Sequence, residues 1–223
     1  QIRLHQRVDA LESIPMWSSS YGNAQNALQA IIPLTTDLDT TVTAMNQAYT
    51  AVNIVKTPPT PLLKWQQSKQ MWTESIARLS KIPATSQVYS LAQQKITAYQ
   101  GQLVRIDKQI ATETTANQKL KSATNVIKAA TQAQSTAKSL TEWRGVKARW
   151  DKVSSQLGSI PVTTTAYAQA QAALKAAQPQ IATAQEKVIE EDKANQNYQT
   201  AVKLAQAAKK KKKNNQLAQA VSQ

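Results

Sequence analysis

The sequence predicts an all-α protein, an elongated array of three helical repeat units with a period of about 78 residues and coiled-coil seams. Three observations predict it. Trp65 and Trp72 recur as Trp143 and Trp150, and Ile82-Pro83 recurs as Ile160-Pro161, all at a separation of 78, with an earlier copy at Ile14-Pro15. Apolar residues step by three and four through most of the 223 residues. The 41% hydrophobic content comes mostly from Ala, Val, Ile and Leu, with 5% aromatics and no Phe, a mixture that suits helix seams packed with small residues rather than a thick β-core.

Aligned on the proline, the copies agree at many further positions. Leu11, Leu79 and Leu157 stand four residues before it, and Ser18, Ser86 and Thr164 three after it. Tyr21, Tyr89 and Tyr167 follow, then Ala24-Gln25, Ala92-Gln93 and Ala170-Gln171, then Leu28, Ile96 and Leu174. The second and third copies also share Glu113/Glu191, Asn117/Asn195 and Ala123/Ala201.

The chain opens inside a helix that ends at Ile14-Pro15, because the residue before proline is pushed out of the α region. Ser18, three residues on, is placed to accept orphan N–H groups and start a longer helix. That helix meets Pro33 and stops at Thr57-Pro58-Pro59-Thr60-Pro61, the one expected hinge or boundary. Pro61 then opens a helix from its first turn. Trp65, Ser68, Trp72, Ile76 and Leu79 form its apolar face, and Ile82-Pro83 ends it. A long helix from Ser86 to Ala130 carries the heptad Tyr89, Ala92, Ile96, Tyr99, Leu103, Ile106, Ile110. Its seam slips near Glu113 and resumes at Ala116, Leu120, Ala123, Ile127 and Ala130.

Ser139-x-x-Glu142 reads as a capping box for the next short helix, whose face is Trp143, Val146, Trp150, Val153 and Leu157. After Ile160-Pro161 the last long helix repeats the heptad as Tyr167, Ala170, Leu174, Ala177, Ile181, Ala184 and Val188. Each long helix carries a breaker eighteen residues after the Ile-Pro proline: Pro33, Gly101, Pro179. The unbroken heptad phase favours a helix that kinks and continues there over one that turns back. The expected divisions are residues 1–57, a truncated first repeat; 58–139 and 140–208, the second and third; and 209–223, a Lys-rich tail.

Several functions are disfavoured by residue counts. The absence of Cys removes disulfides, thiol nucleophiles and finger-type zinc sites. Four Gly and no GxGxxG or GxxxxGK[ST] give no phosphate-cradling loop, and a single His, His5, argues against a Ser–His–Asp triad or a multi-His metal site. Glu190, Glu191 and Asp192 are adjacent and point different ways around a helix. The expectation is therefore a non-enzyme with no cofactor, no metal and no small-molecule substrate.

Charge is the clearest functional signal, with 27 Lys+Arg against 13 Asp+Glu and a net charge of +14. Residues 1–57 hold three basic and four acidic residues; residues 58–139 hold eleven and three, and residues 140–223 thirteen and six. Arg144, Lys147, Arg149 and Lys152 surround the Trp143/Trp150 face, and Lys209, Lys210, Lys211, Lys212 and Lys213 form a block. These nine are the candidate contacts for an anionic partner: nucleic acid, lipid headgroups or cell-wall polymer. The alternative is a solubilising helix surface with a tail that complements the helix dipole. Candidate protein-interface residues are Trp17, which has no counterpart in the other copies, and the seam residues Leu103, Ile106 and Ile110. Glu113/Glu191 and Asn117/Asn195 are either a buried pair that fixes register or partner, or, as the simpler reading, solvated residues where the helix changes face.

The unit Trp-x6-Trp, Leu-x2-Ile-Pro, Ser/Thr, Tyr-x2-Ala-Gln with its apolar heptad resembles a helical repeat of uncharacterised, often membrane-anchored or exported cyanobacterial proteins. The resemblance covers nearly the whole chain and implies no activity. It does imply a cell-envelope location through an N-terminal anchor or signal, with the cytoplasm as the alternative. The expected function is a scaffold or interaction protein in a larger assembly, joined by a protein partner or by self-association. The rival is a cationic module that binds nucleic acid or another anionic polymer non-specifically.

Overall fold

The computed structural model describes residues 2–221, except for the side chains of residues 213 and 215–221. Among the described residues there are six α-helices and no strand. They are α1 (Ile2–Glu12), α2 (Tyr21–Asn53), α3 (Leu62–Leu79), α4 (Tyr89–Thr136), α5 (Leu140–Gly158) and α6 (Tyr167–Val221). Short and long helices alternate, and each short helix reaches its long successor through an Ile-Pro turn.

The three turns are built alike. Ser18 N donates to Pro15 O and Tyr21 N to Ser18 O; Ser86 N donates to Pro83 O and Tyr89 N to Ser86 O. Two successive tight turns thus precede the helix, so the hydroxyl residue sits ahead of it rather than capping it. Ser18 Oγ accepts from Ser20 N at 3.2 Å and Ser86 Oγ from Val88 N at 3.4 Å, which satisfies orphan donors within the turn. The long helices accordingly begin at Tyr21, Tyr89 and Tyr167. At α5 the capping box forms as the sequence predicts. Ser139 Oγ accepts from Glu142 N, and Glu142 Oε2 accepts from Ser139 N at 3.0 Å and Lys138 N at 2.7 Å.

All three breakers lie within helices. Pro33, Gly101 and Pro179 are exposed, and each helix continues past its breaker. At 48 residues, α4 is about 72 Å long at 1.5 Å per residue.

Two compact units divide the chain: Gln1–Thr115 with Thr163–Thr165, and Ala116–Val162 with Ala166–Gln223. The proline cluster between α2 and α3 lies inside the first unit, with Thr60 buried. The first core joins Ala44, Ala48 and Ala51 of α2, Trp72 and Leu79 of α3, Ile82, and Ala92, Ile96, Tyr99 and Ile106 of α4. Alanine on α2 lets its neighbours approach closely, and Ser68 of α3 donates to Ala51 O at 2.8 Å, satisfying a carbonyl near the end of α2. Trp72 meets Tyr99 edge to face at 4.7 Å, and burial pushes the Tyr99 phenol pKa up. His5 and Asp39, 2.9 Å apart, tie α1 to α2.

In the second unit Ala116, Ala123 and Ala130 of α4 pack with Val146, Trp150, Val153 and Leu157 of α5, Ile160, and Ala170, Ala177 and Ala184 of α6. Full burial of a side chain such as Leu157 stabilises by about 1.5–3 kcal/mol. A polar path crosses the three helices. Trp150 Nε1 donates to Gln134 Oε1 at 2.7 Å, and Gln134 Nε2 donates to Gln180 Oε1 at 2.8 Å.

Candidate functional site

Three of the four basic residues around Trp143 and Trp150 are engaged by their own unit. Arg144 on α5 is paired with Asp192 on α6 at 2.9 Å, and Lys147 with Asp151 one turn along at 2.7 Å. Arg149 donates to Gly145 O of its own helix at 3.0 Å, and Lys152 is exposed. Two of the four cations are thus locally compensated, and the four do not converge on one anion position.

Lys209, Lys210, Lys211 and Lys212 are exposed on α6. Successive residues turn by 100° around a helix, so the four spread over its circumference rather than forming one face. The Lys213 side chain lies outside the described residues. Upstream on α6, Lys187 is bonded to Glu190 at 2.6 Å, and that carboxylate holds the ammonium pKa above the usual lysine value.

The aromatic and seam candidates separate into two groups. Ile106 is buried in the first core, with Leu103 and Ile110 packed against it, so these three serve contacts inside the chain. Trp17 is 88% exposed and Met16 80%, side by side in the turn before α2. The equivalent places in the other turns hold Ala84-Thr85 and Val162-Thr163. Beside the turn lies a groove of about 730 Å³ whose lining includes Glu12, Met16, Tyr21, Gln25, Leu28 and Ile32.

Two features go beyond the sequence reading. Glu113 is 2% exposed, the buried alternative rather than the solvated one, and its partner was not foreseen. Its carboxylate accepts Thr165 N at 2.8 and 3.2 Å, which explains how a charged side chain tolerates burial. The other is the second half of α6, where Ile189, Tyr198 and Leu204 are all exposed.

Among the described residues no group of three His, Asp or Glu side chains is placed to hold a metal ion, and no helix is long and apolar enough to cross a membrane. No protein-family model matches the chain, and neither a curated protein nor a solved structure shows significant similarity to it.

Proposed function

We propose that the chain is a non-enzymatic scaffold, a helical array that works as part of a larger assembly. The observation that carries this reading is the double use of α4. Its residues Ile96, Tyr99 and Ile106 belong to one core and Ala116, Ala123 and Ala130 to the other. A helix that closes one unit and opens the next lets units be added without flexible linkers. On this reading the 78-residue recurrence makes three such units, and the three-and-four stripes are coiled-coil seams, narrow where Ala replaces Leu or Ile. Further copies or a helical protein partner are the natural occupants of stripes left uncovered. The cell envelope is the location that the repeat resemblance favours.

A second reading draws on the exposed Lys209–Lys212: non-specific attraction to an anionic polymer. One experiment separates the two. The chain is titrated against fluorescent duplex DNA and heparin at several salt concentrations, beside sedimentation velocity under the same conditions. The scaffold reading expects assembly that persists in moderate salt and only weak polymer binding. Polymer binding that falls steeply with salt and vanishes when Lys209 to Lys213 become Gln, without assembly, would overturn it.

A further inference from the structure

We infer that copies of the chain join head to tail, the second half of α6 of one copy seating in the groove beside α1 and the first half of α2 of the next; this rests on the scaffold reading above. The argument begins with how the chain covers such a groove itself. In the second unit, α5 and the first half of α6 form a helix pair, and the later part of α4 lies on it through Ala116, Leu120, Ala123, Ile127 and Ala130. Polar contacts fix the register at the turn. Lys119 Nζ donates to Ser159 Oγ at 2.9 Å, and Glu113 accepts Thr165 N.

The pair formed by α1 and the first half of α2 is the counterpart of that helix pair. Leu11, Ile14, Ala24 and Leu28 stand where α5 and α6 place Leu157, Ile160, Ala170 and Leu174. Here the groove is open, and its turn presents Met16 and Trp17 to solvent. The counterpart of the covering stripe exists in the same chain. Seventy-eight residues after the α4 stripe, α6 carries Ala194, Tyr198, Ala201, Ala205 and Ala208, all exposed, with Tyr198 at 65%. The polar lock recurs too, because Glu191 repeats Glu113 and Ser19 repeats Thr165. Seated in the same register, Glu191 of one copy accepts the Ser19 N–H of the next.

Charge does not oppose the contact. Residues 1–33 balance Arg3 and Arg7 against Asp9 and Glu12, with Glu12 on the groove, whereas α6 beyond Asp192 bears Lys193, Lys203 and the Lys209–Lys212 block with no acid. The contact joins two different surfaces, so it is heterologous and propagates into larger oligomers rather than stopping at a symmetric dimer.

The test is sedimentation velocity of the whole chain over a wide concentration range with two exposed-site variants, each checked for unchanged helix content. Met16→Asp/Trp17→Asp disables the groove, and Tyr198→Asp/Ala201→Asp disables the stripe. Wild-type chain is expected to grow beyond dimers, each variant alone to stay monomeric, and an equimolar mixture to form a 1:1 dimer and nothing larger, because one intact contact remains. A wild-type monomer at every concentration, the result if another chain occupies the groove, overturns the inference. So does a mixture that stays monomeric. Assembly that persists in both variants also overturns it while leaving the scaffold reading standing, whereas salt-labile polymer binding without assembly removes that reading as well.

Discussion

The Glu113 carboxylate, enclosed within the first unit, accepts the backbone N–H of Thr165 through both of its oxygens, at 2.8 and 3.2 Å. Residue 113 is also where the apolar stripe of α4 slips. Ile110, Glu113 and Ala116 are spaced by three and three, so the inward face is rotated before the three-and-four pattern resumes. A charged side chain thus occupies an inward stripe position of the first unit, and the turn ahead of α6 gives it a partner. The negative charge also sits near a helix N-terminus, where the dipole favours it.

Replacing Glu113 with Ala is expected to destabilise the chain by about 1–3 kcal/mol, because the Thr165 N–H then loses its charged acceptor. Glu113→Gln keeps one acceptor oxygen and should cost less. Urea denaturation followed by circular dichroism checks both, and equal losses would show that the bond to Thr165 matters little.

Trp150→Phe keeps most of the apolar volume but removes the donor that Gln134 accepts. A loss of about 1–2 kcal/mol is expected, and Trp150→Ala should cost about 3–5 kcal/mol by opening a cavity in the second core. A double-mutant cycle with Gln134→Ala should return a coupling energy well above zero. Additivity would contradict the polar path from α5 through α4 to α6.

Folding holds the Glu142 carboxyl below the usual carboxylate range, first through the Lys138 N–H and then through the Ser139 hydroxyl. A group whose pKa falls on folding stabilises above its unfolded value and loses that contribution as pH drops through the folded value. The start of α5 should therefore fray on acidification. Amide exchange at Ser139 and Glu142 should accelerate below the ordinary glutamate range in the wild-type chain. Glu142→Gln, which can still accept these bonds, should lose that pH dependence.

Pro179 lies inside α6 on its exposed face, so Ala there restores a backbone bond without touching the core. Pro179→Ala is expected to raise stability, by up to about 3 kcal/mol. Calorimetry measures it, and a lower melting temperature would mean that the bend proline imposes is needed for packing.

Much of the fold was legible because helices write their contacts into spacing. The stripes from Tyr89 to Ile110 and from Ala116 to Ala130 are the positions of α4 that face the two cores, and their unbroken phase correctly carried α4 past Gly101. What stayed hidden depends on residues far apart in the chain. Nothing near Glu113 announces Thr165, and nothing near Arg144 announces Asp192, whose charge offsets it from the last helix. The division at Thr115 was hidden for a different reason. It falls inside a helix, whereas proline clusters are what a sequence offers as boundaries.

The central claim, a helical scaffold extended by its own uncovered surfaces, is tested most directly by hydrogen exchange at several protein concentrations. Amides of Ala194 to Ala208 and of the Glu12–Pro33 segment should gain protection together as concentration rises, while those of Ala116 to Ala130 stay equally protected throughout. Exchange independent of concentration in both segments would contradict the account.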